Sequence, residues 1–307
     1  MKLTRRDLIR LGAGASVAGM AGPWNSLLAS SDSLLMATIP STGEQVPAIG
    51  IGTNRYRGDV NSADMAPLQA TLEAFFKHGG RVIDTSPNYG NSEEVLGHLL
   101  AASGLRGNTF MATKVDRENR EDGLERMAGS AERLDGVIDL MQVHNLRGTD
   151  VQLASMMEMK AAGKIRYIGI TTHRTDMHGE IEDVMNRYPL DFIQINYSLA
   201  DRAAADRLLP LSMDKGVAVM VNRPFGNGKL FSAVKGMDLP GWAADMGALS
   251  WGQVFLKFIM SHPAAMIPIP GTTKAHHVED NLQAMRGSLP DAGMRKTLES
   301  WYDGVAA

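Results

Sequence analysis

The feature that most limits what this chain can fold into is an alternation that recurs eight times. Short apolar or β-branched runs lie at 48–52, 81–85, 110–115, 137–143, 165–170, 191–196, 217–221 and 265–269. Each run comes before a stretch of helical period, near 64–78, 92–102, 121–134, 151–162, 176–187, 203–214, 249–260 and 276–286. Val82-Ile83 and Val217-Ala218-Val219-Met220 are continuous apolar runs, which suits strands covered on both faces. Eight strand–helix units in one chain of 307 residues predict an α/β protein, a closed (β/α)8 barrel. An open doubly wound sheet is the alternative that alternation alone leaves. Residues 35–47 are expected to form a hairpin plugging the bottom of the barrel, and the tail after the last helix reads as brief.

The chain divides on this basis into a segment 1–32 and a barrel 33–307. The first segment carries Thr4-Arg5-Arg6-Asp7-Leu8-Ile9-Arg10, then a weakly apolar, Gly- and Ala-rich stretch from Leu11 to Ala21. A basic start followed by an apolar run too short to span a bilayer resembles a twin-arginine export signal. That resemblance implies export by the twin-arginine machinery to the periplasm, with a retained membrane anchor as the second outcome. Gly12-Ala13-Gly14 is not a dinucleotide loop, because no strand comes before it. The chain has no cysteine, which excludes disulfides and thiolate catalysis. With 31 basic and 34 acidic residues its net charge is −3, and no global field favours nucleic acid.

In a barrel of this kind chemistry belongs at the C-terminal ends of the strands. Asp84 ends the second run and Tyr89 follows it. Lys114 lies in the third run, and His144 follows the fourth. Gln194 and Tyr197 close the sixth, and Thr171-Thr172-His173 follow the fifth. A tyrosine with a pKa near ~10 is a poor acid at neutral pH unless its anion is stabilised. A lysine against it supplies that stabilisation, an aspartate keeps the lysine charged, and a neutral histidine can orient a carbonyl oxygen. These residue types suit proton donation to a carbonyl that takes hydride from elsewhere. Asp84 with Lys114 could equally be a structural ion pair, and His276-His277 a solvated helix start. The His-x-His spacing of a barrel metallohydrolase is absent, so no metal is expected.

Arg81-Val-Ile-Asp84-Thr-Ser-Pro-Asn-Tyr89-Gly-Asn-Ser-Glu-Glu-Val-Leu-Gly97 resembles the signature of the aldo-keto reductase family. Ala112-Thr-Lys114 and Leu140-Met-Gln-Val-His144 resemble its lysine and histidine strands. The resemblance implies that Tyr89 is the general acid, that Lys114 and Asp84 tune it, and that His144 positions a small-molecule carbonyl substrate. It implies that Gln194, Thr171 and Thr172 contact the nicotinamide amide. Asn222-Arg223-Pro224-Phe225-Gly226 stands where the family carries an aromatic residue stacked on the nicotinamide; Asn222 cannot stack, which leaves Phe225 or Arg223 as substitutes. Gly271, Thr272, Lys274, His277, Asp280 and Asn281 resemble the phosphate and adenine site. Lys274 is the cation available for a 2′-phosphate, so NADPH is expected, with NADH as the second candidate. Trp242 is expected in a long loop over the mouth, in the segment from Phe225 to about Gly247. The competing expectation is a reductase-like barrel that binds a nucleotide as a sensor with little turnover, favoured by Asn222 and opposed by the complete Asp-Tyr-Lys-His set.

Overall fold

A computed structural model describes residues 33–306, so the expected export signal in residues 1–32, with the Gly12-Ala13-Gly14 run, lies outside the described residues. Eight parallel strands form the central sheet: β3 (Ile51–Gly52), β4 (Val82–Asp84), β5 (Phe110–Val115), β6 (Ile138–His144), β7 (Ile165–Thr171), β8 (Phe192–Asn196), β9 (Ala218–Asn222) and β10 (Met266–Pro268). Each pairs with its neighbours in chain order. The ring closes where β3 meets β10. Gly50 N–H donates to Pro268 O at 3.0 Å, Gly52 N–H donates to Pro270 O at 3.3 Å, and Gly52 bridges Gly271. Glycine is required at this seam: a Cβ on Gly50 would sit 2.8 Å from Val82 O, and one on Gly52 3.0 Å from Ile269 O.

Ahead of the barrel, β1 (Met36–Thr38) and β2 (Gln45–Pro47) pair antiparallel with Ala37 opposite Val46. Thr42, in their turn, contacts the Tyr167 hydroxyl at 2.9 Å, and Glu44 bonds Arg166 and Tyr167 at the start of β7. The expected hairpin therefore closes the N-terminal end of the barrel. Phe110, Tyr167 and Phe192, from the early parts of β5, β7 and β8, fill that end with ring centroids 5.6–6.0 Å apart. The apolar lower interior contrasts with the upper strand ends, where Asp84, Lys114, Gln142 and Gln194 are buried. Polar side chains survive there because they largely satisfy one another, Gln142 Oε1 being the exception among these four.

The surrounding helices are α1 (Ala66–Lys77), α2 (Ser92–Ala102), α3 (Arg120–Arg133), α4 (Thr149–Ala161), α5 (His178–Arg187), α6 (Leu208–Lys215), α7 (Lys229–Ala233), α8 (Trp242–Asp245), α9 (Trp251–Met260), α10 (Ala275–Gln283) and α11 (Ala292–Ala306). Their starts follow local chemistry. The Asn119 side chain accepts from Asp122 N at α3, and Ser250 accepts from Gln253 N at α9. No helix among the described residues is long and apolar enough to cross a membrane.

Two expectations require correction. The tail after α10 is not brief: α11 spans 15 residues and buries Leu298 and Tyr302. Trp242 does not overhang the mouth. It opens α8 and packs against Trp251 and Trp301, with centroids 6.3 and 5.7 Å away, so apolar burial draws it outward onto α9 and α11.

Candidate active site

Asp84 and Lys114 come from neighbouring strands and meet in the barrel interior. Lys114 Nζ donates to both Asp84 oxygens at 2.8 Å and to Thr85 O at 2.7 Å, and both side chains are almost fully buried. Three donations satisfy the ammonium completely. Burial alone would favour the neutral amine, but Asp84 and the facing Tyr89 outweigh it, so the Lys114 pKa lies above the ordinary lysine value. Gln194 Nε2 also donates to Asp84 Oδ1, at 2.8 Å, and Gln142 Nε2 approaches the same oxygen at 3.3 Å. The register explains the gathering: Lys114 lies opposite Gln142, and Thr171 lies opposite Gln194.

Tyr89 projects from the loop after β4. Its ring centroid lies 5.2 Å from Lys114 Nζ and 6.2 Å from the His144 ring, which stands edge-on to it. Burial pushes the phenol pKa above its ordinary value, and Lys114 opposes that rise. Tyr89 is therefore protonated throughout the neutral range, with a cation placed to stabilise its anion. His144, at the end of β6, faces Ser86 Oγ through Nδ1 at 3.3 Å. Burial and then the Lys114 charge push its pKa down to about 4, so the ring is neutral near pH 7.

Asp84, Tyr89, His144 and Gln194 line a cleft of about 580 Å³ at the C-terminal mouth, with Lys114 buried behind Asp84 and Tyr89. Thr171, Gln194, Asn222, Arg223, Phe225 and Gly271 share it, along with His173. Gln194 is already committed, since its Oε1 accepts from Thr171 Oγ1 at 2.9 Å while its amide nitrogen holds Asp84. Thr172 is buried beside the cleft, and its hydroxyl accepts from Arg174 N at 3.2 Å. Asn222 Nδ2 donates to Thr172 O at 3.2 Å, which leaves its buried Oδ1 without a partner. The Phe225 ring packs on Phe231, 4.9 Å between centroids, so the rim offers an aromatic surface where Asn222 does not. Gly226 takes φ +57° just outside the lining.

The C-terminal group divides. Thr272 and exposed Lys274 stand at the start of α10, where Thr272 Oγ1 contacts His277 Nδ1 at 3.3 Å and accepts from Lys274 N at 3.2 Å. Asp280 is spoken for: its oxygens accept from Gln253 Nε2 and Ser250 Oγ, both at 2.7 Å, which ties α10 to the start of α9. Asn281 is buried at the same junction. Tyr197, at the end of the sixth run, lies away from the cleft. It is 1% exposed and accepts from Arg295 Nη2 at 2.7 Å. Sequence reading missed Ser86 and Gln142, although Gln142 lies two residues before His144 and so shares its side of the strand. It also missed Arg55, Asn54 and Asn145, loop residues with no pattern to mark them.

The family model described as "Aldo/keto reductase family" matches residues 48–301. An aldo-keto reductase of Strobilurus tenacellus is 28% identical over 295 residues, covering 81% of this chain and 85% of the relative. The NADH-specific methylglyoxal reductase of Escherichia coli K12 is 31% identical over 238 residues, covering 67% and 70%. Among solved structures, an aldo/keto reductase from Klebsiella pneumoniae in complex with NADP and acetate superposes with a TM-score of 0.74 at 25% identity, covering 88% of this chain and 96% of that one. With a family model spanning the whole barrel and the Asp84, Tyr89, Lys114 and His144 side chains gathered at one mouth, this chain belongs to the aldo/keto reductase family of oxidoreductases.

Proposed function

We infer that this protein reduces an aldehyde or ketone to the alcohol, using NADPH. The observation that carries this is a protonated tyrosine held between a fully bonded lysine and a neutral histidine, in one cleft. Reduction consumes a hydride, which nicotinamide supplies when bound, and a proton, which must come from the chain. The Tyr89 hydroxyl donates that proton to the carbonyl oxygen and is reprotonated from solvent. Lys114 stabilises the phenolate that forms, and Asp84 keeps Lys114 charged and fixed. With the Ser86 hydroxyl donating to Nδ1, His144 carries its proton on Nε2 and directs it at the carbonyl oxygen.

The residues present fit the cofactor. Asn222 Oδ1 is a buried acceptor lining the cleft with nothing to accept, which suits a carboxamide N–H donor. Lys274 and the exposed backbone start of α10 suit phosphate. The Klebsiella structure with NADP supports NADPH, while the relative named as NADH-specific makes NADH the comparison to run. The test uses residues 33–307, NADPH carrying deuterium at the reactive nicotinamide carbon, and a reactive dicarbonyl. Deuterium appearing on the alcohol carbon supports the reaction. Tight NADPH binding with no transfer to any carbonyl, from either NADPH or NADH, refutes it and favours the sensor alternative.

We also infer that residues 1–32 direct export to the periplasm by the twin-arginine route, on the strength of Arg5-Arg6 and the weakly apolar stretch after them. Substituting Lys for both arginines should retain the protein in the cytoplasm in cell fractionation. An unchanged distribution would refute the route.

A further inference from the structure

The cleft is cationic although the chain as a whole carries a net charge of −3. Asp84 is the one carboxylate among the residues that line it, and both its oxygens are taken by Lys114. Two guanidinium groups line the same space, Arg55 in the loop after β3 and Arg223 after β9. No carboxylate among the described residues lies within ion-pair distance of either. Many other arginines are paired, such as Arg120 with Glu158 at 2.5 Å and Arg187 with Asp150 at 2.7 Å, whereas Arg57 in the same loop as Arg55 has no ion pair among the described residues. Arg223 is also held at φ +47°, a left-handed backbone region that non-glycine residues seldom adopt. Asn145 and Asn227, at φ +54° and +56°, line the cleft with it. Strain gathered at a cleft points to side chains held there for a ligand.

The two arginines follow β3 and β9, strands with only β10 between them in the closed ring. Arg223 belongs to the β9 segment that bears the expected cofactor contacts. Arg55 follows β3, which pairs with β4, the strand whose loop carries Tyr89. β3 also meets β10, whose continuation carries Gly271, so Arg55 stands between the expected phosphate segment and the tyrosine loop. The loop that bears it runs on to the tyrosine side, where Gly58 exchanges hydrogen bonds with Asn91, at 2.7 and 3.2 Å, two residues beyond Tyr89.

We propose that the carbonyl compound reduced here carries a carboxylate, and that Arg55 is the residue that selects it, with Arg223 adding to the field. The planar guanidinium fork matches the two carboxylate oxygens. Both arginines are exposed at the mouth, so the contact is a partly solvated, charge-assisted one. This inference rests on the reductase function proposed above.

The test compares 4-formylbenzoate with its methyl ester, two aldehydes of similar shape that differ in charge, the ester being intrinsically the more electrophilic, so that a preference for the acid cannot come from reactivity. The parent should favour the acid in kcat/KM by more than about tenfold, mostly through KM, as expected for one charge-assisted contact. In Arg55→Gln the acid-to-ester ratio should fall to within about threefold of one, and in Lys235→Gln, which removes an exposed charge outside the cleft, it should stay at the parent value. A parent ratio near one, or a ratio unaltered by Arg55→Gln, overturns the proposal. So does a loss of NADPH affinity in Arg55→Gln that lowers acid and ester turnover equally, since the guanidinium would then serve the cofactor's phosphates. If no aldehyde turns over, calorimetry of the two compounds against the protein–NADP+ complex decides. Acid binding that Arg55→Gln abolishes supports the anion site while the reductase function falls. Equal or absent binding of both compounds overturns the proposal.

Discussion

Replacing Lys114 with methionine removes the cation that acts most strongly on Tyr89, ahead of Arg223, while keeping most of the buried volume. The ammonium lies 5.2 Å from the phenol ring centroid, in surroundings almost closed to solvent. At an effective dielectric of about 20, a unit charge at that distance stabilises a phenolate by about 3 kcal/mol. That equals about two pKa units, or about a hundredfold in rate if the phenolate charge were fully developed in the transition state. With the charge half developed the loss is about tenfold, so kcat should fall by a factor between about 10 and 200. Because Asp84 then loses its partner, Lys114→Met should also destabilise the fold, by roughly 3–5 kcal/mol. The double variant Asp84→Asn/Lys114→Met separates the two effects: it should recover much of the stability and none of the rate. Single-turnover NADPH oxidation, normalised to the folded fraction by circular dichroism, measures this. A kcat within threefold of the parent in Lys114→Met, or full recovery of rate in the double variant, would show that Lys114 does not assist Tyr89.

Other expectations follow from particular residues. His144 is pushed down to about 4 in the fold, whereas the unfolded chain takes up that proton near 6.5, so the unfolded state binds more protons between the two values. Stability present above pH 6.5 is therefore lost as pH falls toward 4, by about 3 kcal/mol in the limit, and thermal unfolding from pH 7 to 4.5 should show a falling Tm. A flat Tm would contradict the burial of a neutral ring. Because Tyr89 stays protonated and His144 neutral, kcat for reduction should vary by less than about threefold from pH 6 to 8.5. Gly97→Ala places a methyl 1.9 Å from Arg133 O, backbone that cannot yield cheaply, and should cost on the order of 3 kcal/mol in urea unfolding. Lys274→Ala should weaken NADPH about tenfold and leave NADH nearly unchanged, measured by fluorescence titration; equal loss for both would remove Lys274 from the 2′-phosphate.

The barrel was legible because its strands are buried on both faces and so read as short uninterrupted apolar runs, from Val82-Ile83 to Val217-Ala218-Val219-Met220. The ends of strands are less so: the apolar run 48–52 extends beyond the ladder, which contains only Ile51 and Gly52, and the close glycine seam does the rest. α11 was passed over although Met294, Leu298 and Trp301 recur at helical spacing, because its charged, small-residue composition reads as tail. The proximity of Asp84, Tyr89, Lys114 and His144 followed from register, since residues at the ends of consecutive parallel strands must converge. What sequence did not convey is how polar groups are spent. Gln194 and Asp280 have the right type for cofactor contacts, yet hydrogen bonds to Asp84, and to Ser250 and Gln253, already occupy them. Nor does a sequence show that Arg55 has no counter-ion among the described residues, which depends on loops distant in the chain.

Tyr89→Phe tests the central claim most directly, because it removes one oxygen and keeps the ring beside Lys114 and His144. Steady-state NADPH oxidation with a reactive aldehyde should fall by about 10²–10⁴ in kcat while NADPH binds within twofold of the parent. Turnover within tenfold of the parent, with cofactor binding intact, would show that the proton comes from another group and would contradict the account.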